Sequence, residues 1–330
     1  MVIDLVDRAR GALVGLAVGD ALGSPTEGKS PDFIQRQWGR VTDFLSDAQA
    51  GTDDTEYALF SAGLLLRHGR GLTMEQAAQA WREHIISADN AYKGAGFSEI
   101  LTINNLRRGL QPPQSGQHLH AWSDGLAMRA APHGIVAAGD PHGAAQLAEI
   151  DGAVSHAGEG IYGGRAVAAA VAVAMHGAAW QEMIAAAQAV IPADSWTARA
   201  IAQGVAIGAP SADVWSALPL LYEKIVCAYY HWADLAPEAV GLAFGILAAA
   251  RGKFLEAVLG GVNLGRDADT IAAICGAITG AGAGEKQIPL PWATRITTAR
   301  GNCIKMVKDM NISAVAEKLA ALASTRRAVP

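Results

Sequence analysis

The chain has 330 residues, of which 51% are hydrophobic and only 17% charged, against roughly 25% charged in an average protein; this fits a large core rich in Ala and Gly contacts, in one large or two ordinary domains. A net charge of −5 leaves no electrostatic footprint for nucleic acid, and the scattered Cys227, Cys275 and Cys303 form no Cys/His spacing, which argues against zinc and for a reducing compartment. The first ten residues mix acidic and basic side chains unlike a signal peptide, and the longest uncharged Ala/Val run, 166–175, is far below the roughly 20 residues of a membrane span: a cytoplasmic protein, with no membrane partner, is expected.

Residues 4–23 carry apolar positions at helical spacing (Leu5, Ala9, Ala12, Leu13, Leu16, Ala17), run into Gly19-Asp20-Ala21-Leu22-Gly23 and break at Pro25. Glycines there allow close helix packing or approach to a ligand. Glu27 follows in a loop, where its spacing alone gives it no role, and 29–50 read as irregular. Gly51-Thr52-Asp53-Asp54-Thr55 opens a helix over 56–67 with Tyr57, Phe60, Leu64 and Leu65 on its apolar stripe, and Thr73 caps another running to His84. From 89 to 125 the chain is polar and Gly/Pro-rich, with one helix at 98–108; a long irregular section of this kind is more often functional than neutral. It ends in Ser123-Asp124-Gly125-Leu126-Ala127-Met128-Arg129, a Gly-containing helix entrance whose N–H groups would suit a phosphate.

Beyond Pro141 the pattern is helical, over 142–154, 163–176, 180–190, 196–204, 212–230, 237–251 and 253–259. Between the first two lies Ser155-His156-Ala157-Gly158-Glu159-Gly160. A single His is more often structural than functional, but the glycine-rich loop makes His156 a candidate. A last amphipathic helix covers 312–323, and 324–330 should fray. Aromatics total 6% and no long alternation occurs, so an all-α fold with almost no sheet is expected.

The chemistry is densest at Asp267-Ala268-Asp269-Thr270, where a Gly/Asn-rich loop turns into a small-residue helix capped by Asp269 or Thr270. A capping motif explains one Asp and leaves the second unexplained. Hard cations want several oxygen ligands, and two Asp with a Thr hydroxyl make half a site. Thr52-Asp53-Asp54-Thr55 supplies the other half. Face to face, the clusters offer four carboxylates and two or more hydroxyls, enough for a pair of divalent ions. Helix N-termini do not themselves favour cations, so the carboxylates must supply the attraction. No linker divides the chain and a shared site needs both ends in one core, so a single domain over 1–330 is expected.

Together, GDALG (19–23), TDDT (52–55), SDGLAMR (123–129), Ser155-His156 and GRDADT (265–270) resemble, in order and over roughly residues 8–300, the ADP-ribosylglycohydrolase family. The resemblance implies a many-helix fold around two Mg²⁺ or Mn²⁺ ions held by Thr52, Asp53, Asp54, Asp267, Asp269 and Thr270. It puts Glu27 beside the metals, the diphosphate on Ser123, Asp124, Gly125 and Leu126, His156 near the ribose, and Gly265 at the ligand. The implied reaction is hydrolysis of the C1 bond between ADP-ribose and a modified protein or small molecule. Asp54 and Asp269 would stabilise the charge that develops, and Glu27 or Glu99 would pass a proton to the leaving group. Two departures stand out: Arg266 replaces a Gly of the usual GGDTDT, and Phe97 is followed by Ser98-Glu99 where arginine-specific members have Phe-Asp-x-Gly. They motivate an alternative, a hydrolase of nucleosides or other small ribosides. A third reading is a non-catalytic ADP-ribose-binding or structural protein.

Overall fold

The computed structural model describes residues 4–88 and 92–324; of the tail expected to fray, 325–330 lie outside the described residues. Sixteen α-helices follow one another there, with no sheet, only the isolated bridges Ser123–Leu235 and Thr298–Asn311. The first half holds α1 (Leu5–Gly23), α2 (Pro31–Trp38), α3 (Asp53–His68), α4 (Met74–Trp81), α5 (Phe97–Arg107), α6 (Ala131–Val136), α7 (Pro141–Gly152) and α8 (Glu159–Ala174). The second holds α9 (Trp180–Ala189), α10 (Trp196–Gly208), α11 (Val214–Ile225), α12 (Ala236–Ala249), α13 (Phe254–Leu264), α14 (Ala268–Ala283), α15 (Leu290–Arg295) and α16 (Ile312–Ser324).

The centre is the antiparallel pair α1 and α14. Gly11, Gly15, Gly19 and Gly23 repeat every four residues, so they share one helix face. A Cβ on any of them would collide with backbone of Gly280, Gly276, Ala272 or Ala268, respectively. Glycine therefore lets the two backbones touch, as in tightly packed membrane helices, and fixes their register. That register sets Asp20, at the end of α1, beside the start of α14. Both helices are buried along nearly their whole length, and α3 and α16 also pack on α1, so the two chain ends share one core. No helix among the described residues is long and apolar enough to cross a membrane.

Local chemistry sets most boundaries. Asp4 caps α1 by accepting from Val6 and Asp7 N–H, and Thr73 and Gln76 form a reciprocal capping box on α4. Three differences from the sequence reading have physical causes. The segment 29–50 contains α2, started by Ser30 accepting from Phe33 N–H (3.2 Å) and by Pro31; it buries only Ile34, too little for an apolar period. The segment from Ser123 is a run of turns and not a helix entrance. The helix expected over 212–230 stops at Ile225, because 226–235 leaves to meet the loop at 122–124, where Ala236 N–H donates to Trp122 O and Asp124 N–H to Asp234 O.

Candidate active site

The starts of α3 and α14 open on one cavity of about 350 Å³, lined by Asp53, Asp54, Asp267, Asp269 and Thr270. Thr270 Oγ1 donates to Asp54 Oδ1 at 3.3 Å, joining the two acidic clusters across the core. The N-cap of α14 is Asp267, not Asp269 or Thr270 as the spacing suggested, and its side chain makes no capping bond. Thr52, the N-cap of α3, makes none either. These oxygens are therefore not used by their own helices.

Thr52 instead donates through N–H and Oγ1 to Asp20 (both 2.7 Å), and Thr55 donates N–H (3.0 Å) and Oγ1 to the same carboxylate. Asp20 is fully buried. Burial pushes its pKa up to about 7, with the bonds from Thr52 and Thr55 opposing that shift. Its task is to clamp the first turn of α3 onto α1. The sequence reading quoted Asp20 within a glycine motif and gave it no role; an acid inside an apolar small-residue stretch was the available signal.

Asp54 and Asp269 are buried, and Asp54 Oδ2 and Asp269 Oδ1 have no hydrogen-bond partner. Glu27, Asp267 and Asp269 bring carboxylate oxygens within 4.8 Å of one another. Burial first, then the neighbouring carboxylates, pushes Asp54, Asp267 and Asp269 well above the ordinary range. Orphaned, crowded and desolvated carboxylates are the donor set that hard divalent cations satisfy, so these residues fit Mg²⁺ or Mn²⁺. Glu27 is an exposed rim residue whose carboxyl reaches in toward these acids; desolvation, then the charge of Asp53, raises it.

Gly265 does not line the cavity. It ends α13 at φ +75, where a Cβ would collide with the Lys29 carbonyl. Arg266 N–H donates to Lys29 O (2.9 Å) and Gly28 N–H to Arg266 O (2.7 Å), which ties Glu27 to the start of α14. The Arg266 guanidinium is directed at buried Glu238, with Nε 2.6 Å from Oε1 and Nη2 3.2 Å from Oε2, and it also donates to Tyr230 O. Its charge is compensated, and it pins the 226–235 loop. That loop brings His231, Trp232 and Asp234 into the cavity wall, none of which the sequence singled out.

Opposite the acidic helix starts, Ser98, Glu99, Ser123, Asp124 and Gly125 complete the wall. Asp124 is buried with Oδ2 unpartnered; burial and then Asp234 push it well above the ordinary range. In this turn the Asp124 carboxyl faces Asp234, and the Asp124 N–H is already bonded to Asp234 O. Leu126 is core, packed where Gly152 and Gly164 leave room for it. His156 does not reach the cavity either: it is buried behind Ser123, with Nε2 3.0 Å from Ser123 Oγ and Nδ1 2.8 Å from Ser155 Oγ. At the mouth Phe97 stacks on His120 (4.9 Å) and meets Trp232 edge-on (5.5 Å).

A sequence profile described as ADP-ribosylglycohydrolase matches residues 1–328. An uncharacterized protein of Archaeoglobus fulgidus is 35% identical over 287 residues, covering 83% of this chain and 87% of that protein. The ADP-ribosylarginine hydrolase Tri1 of Pseudomonas putida is 25% identical over 316 residues, covering 88% of this chain and 74% of Tri1. A solved structure titled ADP-ribosylglycohydrolase-related protein complex superposes with a TM-score of 0.67 at 23% identity, covering 98% of this chain and all of that one. An all-helical body with two acidic helix starts sharing one cavity, matched end to end in sequence and fold, makes this chain a hydrolase and a member of the ADP-ribosylglycohydrolase family.

Proposed function

We propose that the chain removes ADP-ribose from a modified acceptor by hydrolysing the bond at C1 of the terminal ribose, with a pair of divalent cations, Mg²⁺ or Mn²⁺, as cofactor. The observation that carries this is the convergence of Asp53, Asp54, Asp267 and Asp269 on one cavity with Asp54 Oδ2 and Asp269 Oδ1 buried and unpartnered. Asp53, Asp54, Asp267, Asp269 and Thr270, with Glu27 at the rim and the Thr52 hydroxyl beside them, would hold the ions. When bound, these supply Lewis acidity toward ribose hydroxyls and water.

The protein residues do the rest. Carboxylates fixed on two helix starts face the sugar, where positive charge develops as the C1 bond breaks. Their positions need no adjustment during reaction, because the α1–α14 contact and the Asp20 clamp hold them. Glu27, on the rim and tied down by Gly28 and Arg266, is placed to exchange a proton with the departing group. Phe97 and Trp232 offer aromatic faces at the mouth for a purine. Three free cysteines fit a cytoplasmic setting.

A second reading, hydrolysis of a simpler riboside, is favoured by Asp124 and Asp234 standing where a diphosphate was expected. Incubation with Mg²⁺ or Mn²⁺ and ADP-ribosylated arginine, serine and nucleic-acid substrates should release free ADP-ribose, and chelation should abolish it. Release from none of these, with turnover of a simple riboside, would select the second reading. Stoichiometric ADP-ribose binding without any turnover would support a non-catalytic binding protein.

A further inference from the structure

Behind the cavity wall runs an unbroken series of polar contacts. Arg129 Nη2 lies 3.0 Å from Ser155 Oγ, which lies 2.8 Å from His156 Nδ1. His156 Nε2 is 3.0 Å from Ser123 Oγ, Ser123 Oγ is 2.8 Å from Ser98 Oγ, and Ser98 Oγ is 2.8 Å from Glu99 Oε2. Every residue in it is buried. Arg129 lies over the adjoining rings of Tyr57 (5.8 Å) and Trp81 (5.6 Å), beside buried Asp151. Against the burial that would raise it, Arg129, His133 and Ser61 hold Asp151 below the usual carboxylate range, and Arg129 Nη2 lies 3.8 Å from Asp151 Oδ1.

The two ends dictate direction. An arginine has no acceptor atom, and an ionised carboxylate has no donor; burial raises Glu99, with Arg129 and the Ser98 hydroxyl opposing that shift, and the direction that follows is that of its ionised form. Five contacts lie between them, and five protons are available: one on Arg129, one on each serine and one on a neutral imidazole. Only one arrangement gives every contact its proton. Arg129 donates to Ser155, Ser155 to His156 Nδ1, His156 Nε2–H to Ser123, Ser123 to Ser98, and Ser98 to Glu99 Oε2. With the proton on Nδ1 instead, the Ser155 proton would have only Gly152 O at 3.5 Å, and the Ser123–Ser98 contact would hold no proton at all. Burial, with Arg129 nearby, keeps His156 neutral by pushing it well below its ordinary value.

The chain ends on one oxygen of Glu99 and leaves the other. Glu99 Oε1 is buried, has no partner and belongs to the cavity wall. Gly125 keeps it reachable, since a Cβ there would stand 2.8 Å from it. We infer that Glu99 is a specificity-determining residue, locked as an acceptor by a one-way donor chain rooted on Arg129, and that Oε1 takes an N–H of the leaving group. Ser98, Ser123, Ser155 and His156 are positioning residues. Because Arg129 cannot release its proton, the chain cannot feed a net proton to Glu99; proton exchange with the leaving group falls to Glu27. This deepens the hydrolase reading above and rests on it only for the identity of the cavity's occupant.

The test is NMR of the full chain labelled with ¹⁵N at histidine, with the His156 signals assigned by their loss in His156→Gln. Nε2 should carry the proton and Nδ1 should be bare, with or without Mg²⁺. A proton on Nδ1 would overturn the inference, because it requires the chain to run backwards from a protonated Glu99. Agmatine, a small guanidinium, should shift the His156 Nε2 signal in the unaltered chain and leave it unmoved in Ser98→Ala, where the chain is cut. It should bind at least tenfold more weakly to Glu99→Gln, whose amide keeps its oxygen on Ser98 and turns N–H₂ to the cavity. Equal agmatine affinity in Glu99→Gln would overturn the recognition role. Absence of turnover on every ADP-ribosylated substrate would overturn the proposed reaction and leave these readouts standing.

Discussion

Asp269→Asn keeps the shape of a buried side chain while removing one charge from a crowded set. Asp269 is 5% exposed, its Oδ1 is unpartnered, and burial followed by Asp267, Glu27 and Asp20 disfavours its charged form. Because it caps nothing, its loss should not carry the ~1 kcal/mol penalty of a missing helix cap. Without metal, neutralising an uncompensated buried carboxylate should instead stabilise the fold by about 2 kcal/mol. Unfolding entropy for a chain of this length is about 0.7 kcal/mol/K, so the melting temperature should rise about 3 °C. With Mg²⁺ or Mn²⁺ the sign reverses. If one anionic ligand is worth about a hundredfold in affinity, the metal-linked increment falls by about 2.7 kcal/mol, or about 4 °C. Paired melts in chelator and in millimolar metal, with turnover alongside, check both halves. A lower melting temperature in chelator, or an undiminished metal increment with full turnover, would refute the metal assignment and make Asp269 a structural residue.

Asp54, Asp124, Asp267 and Asp269 all sit above their ordinary range, chiefly through burial. The metal-free folded chain therefore holds more protons than the unfolded one above about pH 4, and its stability should fall as pH rises toward 8; melts across that range should show the fall, and saturating Mg²⁺ should flatten it. Arg266→Met leaves Glu238, 1% exposed, without its guanidinium. That should cost about 3–5 kcal/mol and free the 226–235 loop to proteolysis, and adding Glu238→Gln should restore most of the loss. Gly19→Ala drives a methyl into the Ala272 carbonyl and should cost about 3 kcal/mol. Calorimetry should show it also weakening metal binding, because Asp20 moves with it. Asp20→Asn should lower metal-linked stabilisation without lining the cavity itself, through loosening of Thr52 and Thr55.

What the sequence determined by itself was local. Apolar periods, Thr73 as a cap, the glycines of 19–23 and two acidic helix starts are all written in neighbouring residues, because dihedral preference and helical period act over a few positions. Short helices such as α2, with one buried residue, carry too little of that period to be read. Only the tertiary structure decided what each acid and base faces. Capping was a sound expectation for Asp269, yet the register of α1 against α14 turns the oxygens of Asp54 and Asp269 into a shared cavity. Arg266 stood out in the sequence only as a departure from the usual motif; that Glu238, on another helix, holds its charge is a tertiary fact. His156, expected near the ribose, bridges Ser155 and Ser123 behind the cavity wall. Asp20, the 226–235 loop and the direction of the chain from Arg129 to Glu99 follow from contacts between residues far apart in sequence. A hydrogen bond or ion pair depends on where a distant backbone brings its partner, and no local spacing encodes that distance.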